Sequence, residues 1–410
     1  MRILFIHDNF PAQFGGIGFW LRAKGWDVTF ATAAEVAESP GLRLIRYKPH
    51  RAGSRETHPY AQAMDRAAIN GQGFVRAALA ARDQGYRPDV VVAHSGWGPG
   101  MFARDVFPDA AYVAYVEWWY SYPGADVTCL ARLEGRDFVG SVEAPMYERA
   151  RNAPIAMDIA AADAVLCPTE FQAAQFPPLL RPALTVQHDG IDADFYAPDL
   201  DASDAGDRRS TLDGLVAEDA RVVTYATRGM EPHRGFPQFM AALPAILAAD
   251  PKAVAVIAGE NRVAYGGSSL RGTDWKAKAL AELPINPARV HFVGRLSRVH
   301  YRRLLRRSDA HVYLTVPFVL SWSMLEAMSV GCALVLSDTA PVREFADRAS
   351  ARFADLADPA TIATAVLDLL TNPADAEALR EQARATILDR LTIRDLYPRK
   401  AALFQSLAAR

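Results

Sequence analysis

The chain has 410 residues, half of them hydrophobic and 22% charged, with a formal net charge of -2. That length suggests about two to three domains with ample core. The near-neutral balance argues against broad nucleic-acid binding, which calls for a basic face, so any affinity for anions must come from local sites. Cys129, Cys167 and Cys332 form an odd, widely spaced set without a CxxC pair, which reads as buried thiols in a reducing cytoplasm. The N-terminus enters a strand with no long apolar stretch of the signal-peptide kind, and no run reaches the roughly 18 apolar residues of a membrane span. The expected location is therefore the cytoplasm.

In chain order, short apolar runs at Ile3–His7, Val28–Ala31, Val90–His94, Ala111–Val116, Ala164–Cys167 and Leu184–Gln187 predict buried parallel strands. Helical stretches at Phe74–Arg82 and Met146–Ala162 lie between them. The polar, acidic segment from Pro198 to Ser210 predicts a linker. The alternation then restarts with strands Val222–Ala226, Ala253–Ala258, Val290–Val293, His311–Thr315 and Ala333–Leu336, and helices Phe236–Ala248 and Val299–Arg307. Helices at Pro359–Leu370, Asp375–Leu388 and Leu396–Ala408 close the chain; Asp358 before Pro359 is a start signal, a capping carboxylate before a first-position proline. The fold class is α/β, with two doubly wound domains: 1–200, and 201–390. In such sheets ligands bind at the carboxyl ends of the strands, here in a cleft between the two domains.

The most informative stretch is Ser321 to Val335, a helix ending at Gly331 that feeds an apolar strand. Glu326 is the one acidic or basic side chain between His311 and Ser337, and a carboxylate in such a run costs several kcal/mol unless something hydrogen-bonds it. It is a candidate ligand contact, against the alternative of a carboxylate satisfied by a neighbouring helix. Arg228 and Arg234 flank a strand-to-helix loop, where two guanidinium groups suit a pyrophosphate. Gly15 and Gly16, in Phe14-Gly-Gly-Ile-Gly18, allow close backbone approach to a phosphate or sugar at a helix start, or simply make a tight turn. His94 leaves a strand into a glycine-rich loop, placed either to touch substrate or to cap backbone. Glu117 ends the next strand, and Trp118, Trp119 and Tyr120, with Tyr122, offer a stacking platform for an acceptor sugar or a piece of core. The arginines 298, 302, 303, 306 and 307 read as a solvated helix face, with contact to an anionic membrane surface as the alternative. The Asp-x-Asp triplets at Asp192 and Asp199 sit in or beside the linker, away from the basic loop, so no metal site is expected.

Taken in order, the first-loop glycines, Gly25-Trp-Asp-Val28, Gly190-Ile-Asp192, the basic loop and the Glu326 helix resemble glycosyltransferase family 4. The resemblance covers nearly the whole chain and implies a GT-B fold of two Rossmann-like domains, with the tail 391–410 crossing back to the first. It implies a retaining, metal-independent hexosyltransferase, using a nucleotide-diphosphate sugar donor and no cofactor. The acceptor would be a glycan or lipid-linked sugar in bacterial polysaccharide or glycoconjugate assembly, with peripheral contact to the inner membrane face. Carried over residue by residue, Arg228 and Arg234 clamp the diphosphate, with arginine at 234 where the family has lysine and one extra residue between the two. Glu326 matches the second glutamate of E-x7-E, which holds ribose hydroxyls, and Leu296 falls in the base-binding loop. Two positions depart. Phe318 stands where the first glutamate contacts the donor sugar, leaving Ser321 and loop backbone as substitutes, and Glu117 stands near a family histidine. Two rivals remain open: a non-catalytic GT-B partner subunit and a sugar-nucleotide epimerase on the same fold.

Overall fold

A computed structural model describes residues 1–36, 41–135, 137–198, 212, 214–266, 270 and 272–410. The expected linker and the Asp199 triplet fall almost wholly outside them. The chain divides into two compact units. The first comprises Met1–Gly124, Val139–Gly190 and Arg394–Arg410, and the second Ala125–Phe138 and Ile191–Ile393.

The first unit holds seven parallel strands: β1 (Arg2–Ile6), β2 (Asp27–Thr32), β3 (Arg43–Arg46), β4 (Val90–His94), β5 (Ala111–Tyr115), β6 (Ala164–Cys167) and β7 (Leu184–Val186). Their order is β3-β2-β1-β4-β5-β6-β7. Each central strand is buried on both faces, so the apolar runs are continuous rather than alternating. The order reverses between β1 and β4, and the carboxyl ends of those strands are where a doubly wound sheet opens a crevice. Two differences from expectation have local causes. The edge strand β3 carries an arginine at each end, which masks it as a surface loop. The helical stretch expected over Met146–Ala162 forms two helices, Ala144–Arg151 and Ala153–Ala161, broken at Asn152 ahead of Pro154.

The helix Ile393–Ala408 packs its Leu396, Tyr397, Phe404 and Leu407 inward, with Phe404 against Phe5 and Tyr397 against Trp20. Lys400, 3% exposed, bonds the buried Asp189 at 2.5 Å, and Tyr115 Oη donates to the same carboxylate at 2.6 Å. A Cβ at Gly16 would lie 2.1 Å from Tyr397 Oη, and one at Gly15 2.8 Å from Pro11. The paired glycines, the first residues of the helix Gly15–Ala23, therefore make room for packing.

The second unit holds six parallel strands: β8 (Arg221–Gly229), β9 (Ala253–Glu260), β10 (Val290–Gly294), β11 (Ala310–Tyr313), β12 (Leu334–Ser337) and β13 (Arg352–Ala354). Their order is β10-β9-β8-β11-β12-β13, with the reversal between β8 and β11. The helix Trp322–Val330 runs as the sequence predicts, capped by the Ser321 hydroxyl and ended by Gly331 in the left-handed conformation at φ 80°. Cys167 and Cys332 are buried and Cys129 partly so, all as free thiols. Among the described residues no helix is long and apolar enough to cross a membrane.

Candidate functional site

In the second unit, the carboxyl ends of β8 and β11 bring the basic loop against the Phe318–Ser321 loop. The two arginines differ. Arg228 is exposed and makes no side-chain hydrogen bond or ion pair among the described residues. Arg234, 5% exposed, is held: Nη1 donates to Thr315 Oγ1 at 2.9 Å, Val319 O at 3.2 Å and Tyr313 Oη at 3.4 Å, and the guanidinium lies 4.8 Å from the Tyr265 ring centre. Burial works against its charge, but Tyr313, Tyr265 and Glu231 outweigh that and hold its pKa above the ordinary arginine value. It is a fixed cation.

Sequence reasoning passed over Glu231 and His233, which lie between the arginines. Glu231 is fully buried; its Oε2 accepts the amide N–H groups of Ala264 and Tyr265, while Oε1 has no partner among the described residues. Burial raises its pKa against those hydrogen bonds. His233 is also buried, with Nε2 3.9 Å from Asp126 and Nδ1 without a partner among the described residues. Phe318 meets the His233 and Tyr265 rings edge-on, at 6.0 and 5.6 Å between centroids. The position the resemblance assigns to a sugar-binding carboxylate is thus an aromatic wall. Ser321 spends its hydroxyl on Ser323 as a cap and its N–H on Tyr313 Oη at 2.9 Å, so its side chain is committed locally.

Glu326 lies beside Tyr196, Tyr301 and Arg298, and the Arg298 guanidinium adds opposite charge. Burial dominates and pushes its pKa up to about 7. Leu296 packs against the small cluster that includes Val222, Val256 and Leu304, just before the helix that starts at Arg298. The arginines of that helix are not a free face. Arg302 donates to Phe195 O, Arg306 to Ala197 O and Arg307 to Ala220 O, while Arg298 lies over Phe195. They staple the segment after Asp192, whose Oδ1 accepts Phe195 N–H at 3.0 Å, so this acid is structural. Among the described residues no group of three or more His, Cys, Asp or Glu is arranged to hold a metal.

In the first unit, the ends of β1, β4 and β5 gather His7, Asp8, His94 and Glu117. His94 Nδ1 lies 2.9 Å from Trp97 Nε1, and since an indole N–H can only donate, that nitrogen accepts. Nδ1 also lies 3.1 Å from Ser95 O, and Nε2 faces Glu117 Oε2 at 3.2 Å. Glu117 Oε1 accepts Gln13 Nε2 at 3.0 Å. Asp8 Oδ1 accepts Tyr47 Oη at 2.7 Å and Asn70 Nδ2 at 2.8 Å, and burial raises its pKa. The His94 loop rests on Asp158, which accepts Ser95 Oγ at 2.7 Å and Gly96 N at 2.8 Å; burial pushes this acid up to about 6. In that loop Gly98 has φ 113°, and a Cβ there would meet Ala67 O at 1.9 Å, so only glycine fits. Asp158 carried a signal that went unused: it is a lone charge in the apolar helix APIAMDIAA, as Glu326 is in its own. In the aromatic cluster Trp118 is buried, while Trp119 and Tyr120 are partly buried against the core of the first unit. Trp118 faces Phe171 at 6.1 Å, Trp119 faces Phe176 at 5.6 Å, and Arg151 covers Tyr120 at 3.4 Å.

No curated protein sequence matches the chain. Among solved structures, sucrose-phosphate synthase from Thermosynechococcus elongatus is 17% identical with a TM-score of 0.73, covering 100% of this chain and 99% of that one. HepE from Anabaena, in complex with UDP and glucose, is 16% identical with a TM-score of 0.71 over 99% and 100%. The catalytic domain of starch synthase IV from Arabidopsis thaliana, bound to ADP and acarbose, is 13% identical with a TM-score of 0.67 over 100% and 99%. These likenesses show the GT-B fold. Residues 24–196 match the family described as Glycosyl transferase family 4 group, and residues 213–386 match Glycosyl transferases group 1. With both halves matched in order on that fold, the chain belongs to the glycosyltransferases of the family 4 type.

Proposed function

We propose that the protein transfers a hexosyl group, with retention of anomeric configuration, from a nucleoside-diphosphate sugar held by the second unit to a glycan or lipid-linked acceptor held by the first. The observation that carries this reading is the pair of unlike arginines at the β8–β11 switch point. Arg234 is a prebuilt cation fixed by three acceptors, and Arg228 is free to close on a ligand. Cationic donors aimed at charge that develops on a leaving group are a large catalytic term, and two guanidinium groups can supply it without a metal ion. The complexes of HepE with UDP-glucose and of starch synthase IV with ADP support a nucleoside diphosphate as the part to be recognised.

Glu326 would accept ribose hydroxyls, with Tyr196 and Arg298 beside it. His94 and Glu117 would meet the acceptor hydroxyl, which must displace one existing bond of the His94–Glu117–Gln13 chain to be bound. The phenyl edge of Phe318 suits an apolar edge of the donor sugar. We place the enzyme in the cytoplasm, working on acceptors at the inner membrane face in polysaccharide or glycoconjugate assembly.

Titration calorimetry with UDP, ADP and GDP, followed by a panel of their sugars scored for nucleoside-diphosphate release with cell extract as acceptor, tests the reading. Binding of at least one diphosphate and acceptor-dependent release are expected. Binding without release from any sugar would favour a non-catalytic partner subunit, and no binding would refute the donor site.

A further inference from the structure

Beyond β5 the chain runs from Glu117 through Trp118, Trp119 and Tyr120 to Tyr122, and beneath Trp119–Tyr122 lies a small cavity of about 190 Å³. Trp119, Tyr120, Tyr122, Glu148, Arg149 and Asn152 form most of its wall. The wall is fixed rather than loose. Asn152, 1% exposed, accepts Tyr120 N–H at 2.9 Å and donates to Tyr120 O at 2.7 Å and Glu148 O at 3.0 Å. Tyr122 Oη accepts Ser141 N–H at 3.0 Å.

The charges in this wall are unequally served. Glu148 is paired with Arg151 at 3.3 Å, and Arg151 is itself laid on the Tyr120 ring. Arg149 is exposed and has no side-chain hydrogen bond or ion pair among the described residues. The cavity therefore presents aromatic surface, a fixed amide and one uncommitted guanidinium. Its volume is below the roughly 300 Å³ at which drug-sized pockets begin, so it suits a single ring rather than a chain. A guanidinium matches a carboxylate in a planar, two-pronged bond. A phosphate dianion would leave a surplus negative charge beside Glu148.

We propose that this cavity is an acceptor subsite for a pyranose carrying a carboxylate, a uronic acid, with Arg149 as its specificity-determining residue. The proposal rests on the glycosyltransferase reading above and adds the class of acceptor. Saturation-transfer NMR with methyl β-glucuronide and methyl β-glucoside on the full chain tests it, alongside calorimetry of nucleoside diphosphate on the same samples. The glucuronide should bind about tenfold more tightly than the glucoside, the worth of one charge-assisted hydrogen bond. Arg149→Gln should erase that difference and leave diphosphate affinity unchanged. Equal binding of the two glycosides, binding of neither, or a preference that survives in Arg149→Gln would overturn the subsite. Loss of diphosphate binding in the wild-type chain, with the glucuronide preference intact, would leave the subsite standing and refute the donor reading instead.

Discussion

The first unit ties its polar groups to one another at the β1–β4 switch point. His94 is bonded on both ring nitrogens, Glu117 on both oxygens, and Asp8 and Asp158 each accept two or more donors. The second unit, at the equivalent β8–β11 point, leaves capacity unused: among the described residues Arg228 has no partner, and Glu231 Oε1 and His233 Nδ1 are buried without one. The same topology thus carries two electrostatic designs. A closed network of neutral and paired groups can receive a hydroxyl-bearing molecule by exchanging hydrogen bonds at little net cost. An open one, with a fixed cation and unfilled sites, is destabilised until a charged ligand fills it. Perturbing each unit by itself tests whether that contrast is real.

The largest expected effect is in the first unit. Lys400→Met strands Asp189 as a buried, half-paired carboxylate, because Tyr115 alone remains to bond it. Removing one member of a buried ion pair costs about 3–5 kcal/mol. Urea unfolding should show that loss while nucleoside-diphosphate affinity stays as it was. A small change in stability would mean that the tail helix is held by its apolar face, Leu396, Tyr397, Phe404 and Leu407, without the ion pair.

Glu326 sharpens the contrast from the other side. Its pKa is raised from 4.5 to about 7 in the folded protein, so folding favours the protonated form. The stability this contributes is fully present below pH 4.5 and is lost as pH rises through about 7. At about 1.4 kcal/mol per pH unit the whole effect is at most roughly 3 kcal/mol. Glu326→Gln should remove this dependence, so wild-type stability should fall relative to the variant between those limits. Parallel curves would show that the carboxylate is satisfied in its charged form, by Tyr196 and Arg298 together.

The arginines separate binding from folding. Arg228→Ala should weaken diphosphate binding by about 1.5–3 kcal/mol, or roughly 10- to 150-fold, with no change in melting temperature. Arg234→Ala should weaken binding by a similar factor and also lower the melting temperature, since Thr315, Tyr313 and Val319 O lose their donor. Equal thermal behaviour of the two variants would remove the distinction between a held and a free arginine.

The fold was legible because the central strands of both sheets are buried on both faces and read as apolar runs. The edge strands β7 and β10 were legible too, but β3 and β13 were not: both are short and carry arginine, since a sheet edge is kept polar. Glu326 could be found because burial makes a lone carboxylate conspicuous. The His94–Glu117 pair could not, because 23 residues separate them and only the pairing of β4 with β5 brings them together. Arg228 and Arg234 look alike in sequence. Their different fates are set by Tyr313, Thr315 and Val319 from another strand and its loop, which no local pattern announces.

The smallest expected gain concerns Phe318. If the second unit were an open site that merely lacks one carboxylate, Phe318→Glu should restore a sugar contact and raise turnover. The surroundings argue otherwise. The ring sits among His233, Tyr265 and the core packing of the second sheet. Glu231 already lies buried nearby with an unpartnered oxygen, so a second acid would add like charge where desolvation is already unfavourable. Phe318→Glu is therefore expected to bring no increase in turnover with the donor that the wild type uses, and to lower the melting temperature. Steady-state assays of nucleoside-diphosphate release, with melting curves on the same samples, decide the point. A clear rise in rate would mean that Phe318 blunts an otherwise ordinary hexose site, and that the aromatic wall is a loss rather than a rebuilt pocket.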